Sequence, residues 1–204
     1  MTASTGGSAS ELVVLLDPAG RAVGTAAKAG VHHADTPLHL AFSCYVLDPQ
    51  GRLLVTRRAL GKTTFPALWT NSLCGHPAPG ETLVDAVCRR ARDELGLHIR
   101  AAQVELVLPE FGYRAEMDGV VEHELCPVLV ARVDRGPDLR LERAEVAASD
   151  WMPWLRFAGA VLAQEPGWSP WCRQQVRLLH DLGPDPGDWP VGQARRLPPA
   201  ARLR

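Results

Sequence analysis

The sequence predicts an α/β (α+β) fold in which a mixed β-sheet is sandwiched between helices. Three observations support this prediction: strand-like segments cluster near the N-terminus, a strongly periodic helix lies in the middle of the chain, and an amphipathic helix closes it. Strands and helices interleave without a regular βαβ rhythm, which favours a mixed sandwich over a doubly wound sheet. With 204 residues, 46% of them apolar, the chain suffices for one domain and leaves little room for a second.

The first predicted elements are strands. The apolar segment Leu12–Leu16 runs into the sequence DPAG at 17–20, which is typical of a turn. Residues 40–47 and 52–56 have the same apolar character and are joined by DPQG at 48–51, so we expect them to form a β-hairpin.

The later elements include the most regular helix of the chain. Between residues 81 and 95 apolar side chains recur at helical spacing, and Gly96 follows as a C-cap. These apolar positions are Leu83, Val84, Val87, Ala91 and Leu95. Residues 122–133 have the composition of a strand, in which Pro127 indicates a sheet edge or a bulge. Residues 171–182 are predicted to form the closing amphipathic helix.

Both ends of the chain are expected to be flexible. Residues 1–10 are small and polar, and residues 183–204 contain five prolines, three glycines and four arginines. The folded catalytic unit is therefore predicted to be a single domain at 11–182. Nothing in the sequence indicates an oligomer, and we expect a monomer.

Composition excludes several classes of function. A formal net charge of -1 gives no electrostatic basis for nonspecific binding to nucleic acids. The purely apolar stretches are far shorter than the ~20 residues that a membrane span needs. The N-terminal residues lack the basic and apolar parts of a secretory signal, so we expect a cytoplasmic protein. The five cysteines contain no CxxC pair, which argues against disulfides and a structural zinc site.

One segment has the spacing of a known motif. Gly75 is followed after five residues by Glu81, and after seven more by RRARDELGL at 89–97. This resembles the Nudix box, in which acidic residues on a helix hold Mg²⁺ against a diphosphate. Arg90 stands where the box has Glu, and Asp93 replaces another Glu. A guanidinium at 90 favours holding a diphosphate over cutting it. By itself the motif is equally compatible with a solvated amphipathic helix.

Further segments extend the resemblance over most of the chain. HHADTPLHLAFSCYV, LLVTRRALGKTTFPALWTNSLCGHP, EFGYRA and GVVEHELCPV follow one another in the order found in type 1 isopentenyl diphosphate isomerases. From about Leu12 to Trp171 the chain is similar to that family. The resemblance implies a Nudix-like fold and the interconversion of isopentenyl diphosphate and dimethylallyl diphosphate for isoprenoid biosynthesis.

The resemblance also implies a divalent-metal site. Its ligands would be His32, His39, His76, Glu122 and Glu124. Glu122 and Glu124 lie two apart on a predicted strand, so both carboxylates face one side and His123 faces the other. Three imidazoles and two carboxylates suit Mn²⁺ or Zn²⁺ better than Mg²⁺. His33 is an alternative to His32 as a metal ligand because the two are adjacent, but the family's HxADTxLH motif begins at His32. No organic cofactor is expected.

The catalytic residues implied by the resemblance are Cys74, Glu124, Tyr113 and Trp171. Cys74 would protonate the alkene, and Glu124, assisted by Tyr113, would remove a C2 proton from the opposite face. The ring of Trp171 would stabilise the intermediate tertiary carbocation through a cation–π interaction. The remaining cysteines are expected to be small buried hydrophobic residues.

The small-molecule diphosphate substrate would be bound by cations. The resemblance assigns this role to Lys28, Arg58, Lys62 and Arg90, with Glu94 helping to hold Mg²⁺. Lys28 and Lys62 are the only lysines in a chain whose other cations are arginines. Their position at two phosphate-binding sites supports the assignment.

Two other classes of function remain open. A Nudix-type pyrophosphohydrolase of a diphosphate substrate is favoured by the box alone and disfavoured by Arg90. A noncatalytic module could use the same residues only to bind a metal or a diphosphate. Neither accounts for a cysteine and a glutamate placed to act on both sides of an alkene.

Overall fold

Two mixed β-sheets form the centre of the molecule. The computed structural model describes residues 11–134 and 138–202. The first sheet has the strand order β2-β1-β3-β10-β9, and the second has the order β12-β5-β4-β11-β8, with β6 beside β5 and β7 beside β4. The strands are β1 (Leu12–Leu16), β2 (Ala22–Ala27), β3 (His39–Leu40), β4 (Phe42–Leu47), β5 (Arg52–Arg58), β6 (Trp69–Thr70), β7 (Leu73–Gly75), β8 (Val104–Leu108), β9 (Gly112–Met117), β10 (Val120–Leu125), β11 (Val128–Arg132) and β12 (Val146–Pro153).

Helices cover both faces of the second sheet. They are α2 (Leu83–Leu95), α3 (Trp154–Leu162) and α4 (Pro170–Asp181), whereas α1 (Lys28–Val31) contacts β1 and β2 of the first sheet. Alternate side chains of β4 enter two different cores, because successive residues of a strand point to opposite faces. Cys44 and Val46 pack in the core that contains α2, whereas Tyr45 and Leu47 pack in the core that contains α3 and α4. The prediction of a mixed sheet sandwiched between helices is confirmed.

Several local predictions are also confirmed. Strand β1 has the predicted bounds, and β4 pairs with β5 in an antiparallel hairpin. Helix α2 begins after Thr82, whose side chain accepts a hydrogen bond from the Asp85 amide, and ends at Gly96. Gly96 has a φ of 65°, the left-handed conformation that favours glycine at a C-cap. None of the helices in the described part of the chain has the length and apolar character that crossing a membrane requires.

The single strand predicted at 122–133 is wrong. The structure divides it into β10, in the first sheet, and β11, in the second. Pro127 lies between them, and its missing N–H prevents the ladder from continuing there. Pro127 therefore marks neither an edge nor a bulge but the point at which the chain passes from one sheet to the other.

The structure also differs from the prediction for the C-terminal tail. Residues 183–202 pack against both cores, with Trp189 in one and Leu197 and Ala201 in the other. Trp189, which we expected to be mobile, is 5% exposed and lies edge-on to Trp154 at 4.8 Å between ring centroids. Burial of these few apolar side chains offsets the polar composition of the tail. Residues 1–10, which we expect to be flexible, lie outside the described residues. A single catalytic domain at 11–182 stays a prediction.

Candidate active site

A cavity of about 500 Å³ opens between the two sheets. The first sheet contributes Tyr113, Glu122 and Glu124, and the second contributes Cys74 from β7. Trp171, at the start of α4, lies in the wall. The size is within the range of small-molecule sites. All the predicted site residues line this cavity except His39, which lies behind the surface and is fully buried.

Three imidazoles and one carboxylate meet at one side of the cavity. His39 and Glu124 are direct neighbours on the paired strands β3 and β10, and His76 follows β7. The Nε2 atom of His76 lies 3.1 Å from Oε1 of Glu124, and Nε2 of His39 lies 3.4 Å from the same oxygen. With His32, which ends α1, the four residues place one ligand atom each within 4.8 Å of one another.

The pKa shifts of His32, His76 and Glu124 favour the protonation states that bind a metal ion. Burial and the neighbouring His76 lower the pKa of His32 to about 4, and burial also lowers the pKa of His76. Burial opposes protonation of His39, but its hydrogen bond to Glu124 raises its pKa above the ordinary value. Although burial acts in the opposite direction, His39 and His76 hold the pKa of Glu124 well below its usual range. Ionised carboxylate and neutral imidazole are the ligand forms of these groups.

The hydrogen bonds of the imidazoles also fit a divalent cation. His39 donates from Nδ1 to the carbonyl of Pro37 at 2.9 Å, which turns the Nε2 lone pair towards the cluster. Its Nε2 lies 3.2 Å from Nε2 of His76. Two lone pairs at this distance repel each other unless a proton or a cation is shared between them. In addition, Nε2 of His32 is buried without a hydrogen-bond partner among the described residues.

Glu122 lies beside this cluster but is not one of its four members. The hydroxyl of Tyr113 donates to Oε2 of Glu122 at 2.6 Å, and Arg58 lies 3.9 Å from Oε1. Burial and the charge of Glu124 raise the pKa of Glu122. Tyr113 is the direct neighbour of Glu124 across the antiparallel strands β9 and β10, while its hydroxyl binds Glu122. The predicted assistance of Tyr113 to Glu124 stays a prediction. As predicted for alternate strand residues, both glutamates are buried, whereas His123 is only half-buried.

Cys74 faces the cavity from the opposite sheet. Its sulfur donates to Oδ1 of Asn71 at 3.2 Å and lies 3.4 Å from the hydroxyl of Ser43. Burial raises the pKa of the thiol to about 11, so the sulfur is protonated at neutral pH. Glu124 is ionised under the same conditions. The cavity thus holds an acid on one sheet and a base on the other.

Aromatic rings close the apolar end of the cavity. Trp171 is 2% exposed, and its Nε1 donates to Oδ1 of Asn71 at 3.2 Å. The ring of Tyr113 lies 5.7 Å away, and the guanidinium of Arg58 lies 5.2 Å from the indole centroid. The indole is therefore already placed where it attracts a cation.

Cations and carboxylates line the other end of the cavity. Lys28 pairs with Glu11, and Lys62 pairs with Glu145, each at 2.5 Å. Arg90 pairs with Glu94 and also lies 3.4 Å from Glu11 and 3.5 Å from Glu145. Burial raises the pKa of Glu94, although Arg90 opposes this effect. The guanidinium of Arg58, by contrast, donates to backbone carbonyls at Thr64 and Phe65.

Sequence reasoning missed five polar residues of this region: Glu11, Ser43, Asn71, Glu145 and Gln175. Ser43 and Gln175 left a signal, because each interrupts an apolar pattern. Ser43 lies within the apolar strand β4, and Gln175 occupies the buried stripe of α4 between Trp171 and Leu179. Asn71 lies three residues before Cys74 in the motif itself. Glu11 and Glu145 left none, since their lysine partners are distant in sequence.

Comparison with known proteins agrees with this architecture. A family model described as NUDIX domain matches residues 37–172. A solved Deinococcus radiodurans structure covers 82% of this chain and 98% of its own length, with a TM-score of 0.63 and 18% identity. A MutT protein from Methanosarcina mazei covers 72% and 96%, with a TM-score of 0.56 and 17% identity. At these identities the solved structures establish the fold alone.

Curated relatives are much closer in sequence. A protein from Saccharopolyspora erythraea is 52% identical over 192 residues, which is 94% of this chain and 97% of the relative. One from Mycolicibacterium vanbaalenii is 55% identical over 176 residues, covering 85% and 93%. Both are named isopentenyl-diphosphate Delta-isomerase. The chain belongs to the NUDIX domain family and, within it, to the family of these isomerases.

Proposed function

We propose that this protein interconverts isopentenyl diphosphate and dimethylallyl diphosphate and so supplies isoprenoid biosynthesis. One observation carries the proposal: a protonated thiol at Cys74 and an ionised carboxylate at Glu124 face one cavity from two different sheets. An allylic isomerisation needs an acid and a base on opposite faces of the alkene. The names of the relatives support the same reaction.

The reaction proceeds by two proton transfers. The S–H bond of Cys74 breaks as a C–H bond forms at C4 of isopentenyl diphosphate, and the electron pair stays on sulfur. The tertiary cation at C3 then loses a C2 proton to Glu124, and the C–H electrons form the new double bond. In the reverse direction the protonated carboxyl and the thiolate exchange these roles.

The aromatic wall protects the cation. Trp171 presents its indole ring to the positive charge, and a desolvated cation–π contact contributes about 2 kcal/mol. Tyr113 holds Glu122 by a hydrogen bond and closes the wall beside Trp171. Both rings keep water from the cation, which would otherwise be captured as an alcohol.

The diphosphate occupies the cationic end of the cavity. Lys28, Arg58, Lys62 and Arg90 provide ammonium and guanidinium donors for its oxygens. The buried carboxylate of Glu94 shares this end and is suited to Mg²⁺ held together with the diphosphate. The five-carbon chain then extends from the cations towards Cys74 and Trp171.

The His/Glu cluster is proposed to hold a divalent metal. His32, His39, His76 and Glu124 would bind it, with Glu122 as the fifth predicted ligand. Mn²⁺ or Zn²⁺ suits these ligands. When bound, the cation withdraws charge from Glu124 and fixes its position. We further propose a monomer in the cytoplasm with no organic cofactor.

The decisive experiment is incubation of the protein with isopentenyl diphosphate, Mg²⁺ and Mn²⁺ in D₂O, followed by NMR. Deuterated dimethylallyl diphosphate supports the proposal, and free phosphate would instead support the pyrophosphohydrolase alternative. An untouched substrate that still binds would indicate a noncatalytic module.

Variants assign the two faces. Cys74→Ala and Glu124→Gln should each abolish turnover and deuterium incorporation. Cys88→Ala is the matched control, because Cys88 is a half-buried thiol on α2 outside the cavity lining. Full turnover by Cys74→Ala or Glu124→Gln would contradict the assignment of that residue.

A further inference from the structure

The sulfur of Cys74 is the end of a buried hydrogen-bond chain that is built from uncharged side chains. Ser43 and Cys74 are direct partners on the antiparallel strands β4 and β7, so their side chains share one face of the sheet. Tyr45 lies two residues further along β4 on that same face, and Gln175 covers it from α4. Ser43, Tyr45 and Gln175 are all 0% exposed.

The direction of each hydrogen bond in this chain follows from its donors and acceptors. The hydroxyl of Tyr45 donates to Oε1 of Gln175 at 2.9 Å, which leaves the amide nitrogen of Gln175 to donate to Oγ of Ser43 at 2.8 Å. Because Ser43 accepts from Gln175, its own proton is free to point at a sulfur. Two sulfurs lie at 3.4 Å from its oxygen, those of Cys74 and Cys126.

Asn71 fixes the other side of the same sulfur. Its amide nitrogen donates to the carbonyls of Cys44 at 3.0 Å and Leu73 at 2.9 Å, so its Oδ1 can only accept. The thiol of Cys74 donates to this oxygen at 3.2 Å. The sulfur therefore lies between an acceptor for its own proton and a hydroxyl donor.

We propose that Ser43 donates a hydrogen bond to the sulfur of Cys74 as the thiol gives up its proton, and that Gln175 is the positioning residue that orients Ser43. The inference rests on the proposed isomerase function. The proton that leaves sulfur goes to carbon, and Ser43 keeps its own proton throughout. A donor aimed at the atom where negative charge develops stabilises the transition state more than the ground state.

The first test is Ser43→Ala. We expect kcat to fall about 10- to 100-fold with KM unchanged, as for the loss of one hydrogen bond to a charged group. Ser72→Ala is the matched control: Ser72 is equally buried, and its hydroxyl contacts the backbone of Leu54 and Val46 instead. Wild-type kcat in Ser43→Ala would overturn the proposal, and so would an equal loss in Ser72→Ala.

The second test separates positioning from packing. Gln175→Leu should lower kcat less than Ser43→Ala, and the double variant should match Ser43→Ala alone, because Gln175 acts through Ser43. The infrared S–H stretching band of Cys74, identified by its loss in Cys74→Ser, should shift in both single variants and stay fixed in Ser72→Ala. Additive losses would overturn the proposal. If Ser43→Ala fails to fold, an unshifted S–H band together with wild-type kcat in Gln175→Leu would overturn it. An inactive wild-type protein would refute the proposed function instead.

Discussion

Replacing Lys62 by methionine tests whether the cationic end of the cavity binds the diphosphate. Lys62 lies in the cavity wall, where its ammonium contacts Glu145 at 2.5 Å. Lys62→Met keeps an unbranched side chain as long as the aliphatic part of lysine and removes the charged ammonium group. A hydrogen bond to a charged group contributes about 1.5–3 kcal/mol, which corresponds to an increase in KM of about 10- to 100-fold. Because this contact is made before and during the reaction, kcat should change little.

The same substitution should have a small effect on folding. The Lys62–Glu145 pair retains about a fifth to a quarter of its side-chain exposure, and Arg90 still lies 3.5 Å from Glu145 after the lysine is lost. A partly exposed pair contributes less than about 1 kcal/mol, which corresponds to a Tm decrease of at most about 2–4 °C in a chain of this size.

Steady-state kinetics and calorimetry on the same preparation provide the measurement. Arg100→Met is the matched control, since it removes a cation whose pair with Asp134 is largely exposed and far from the cavity lining. An unchanged KM in Lys62→Met would refute the assignment of Lys62 to the diphosphate. If the increase in KM were accompanied by a large decrease in Tm, the weaker substrate binding would be a consequence of impaired folding.

Three further predictions concern stability, metal and pH. Trp189→Ala should lower the free energy of unfolding by about 3–5 kcal/mol, measured by urea denaturation, because it empties a buried site. His76→Ala should lose the bound metal, measured by elemental analysis after dialysis. In the metal-free protein, unfolded His32 binds a proton below pH 6.5 but folded His32 only near pH 4, so stability falls as the pH drops through this window. His32→Gln should reduce that fall by about 1 kcal/mol at pH 5, a value discounted for partial exposure.

Each of these predictions has a control and a contradicting outcome. Val191→Ala, at a 66% exposed position beside Trp189, should change stability by less than about 0.5 kcal/mol. If Trp189→Ala changed the free energy of unfolding as little as Val191→Ala, the tail would be mobile, as its composition predicts. His123→Ala should retain metal, and equal retention by His76→Ala would contradict the His/Glu site. Identical pH profiles for His32→Gln and the wild type would contradict the lowered pKa.

The residues that the family resemblance names lie in short motifs, and the structure brings all of them except His39 into the lining of one cavity. Cys74 and His76 are almost adjacent, and Glu122 and Glu124 share a strand, so spacing alone brings each pair to one surface. Glu11 and Glu145 could not be predicted, since pairing with Lys28 and Lys62 depends on how distant segments pack.

The fold was predictable where periodicity decides the structure and unpredictable where tertiary packing does. Helix α2 has a regular apolar stripe and a glycine C-cap, so its existence and end follow from local rules. The composition of the tail gives no indication that Trp189 finds a partner in Trp154. Similarly, Pro127 signals that a ladder is interrupted but not that two sheets meet there.

The chain passes from one sheet to the other at Pro127, and backbone hydrogen bonds hold both sides of this crossing. The carbonyl of Leu125 accepts from Ala41, and the carbonyl of Pro127 accepts from Ser43. Leu125 and Pro127, one on each side of Cys126, are thereby attached to the segment that links β3 to β4. These two backbone hydrogen bonds join the two sheets to each other at the crossing.

We therefore expect that the two sheets do not move apart to accommodate a longer alkene. Redesign of this protein for a larger substrate would have to shorten side chains of the wall, while the separation between the acid and the base stays constant. A one-residue insertion between Glu124 and Pro127 would be far more damaging than an insertion in a surface loop, because it would shift the register that aims the base at the substrate.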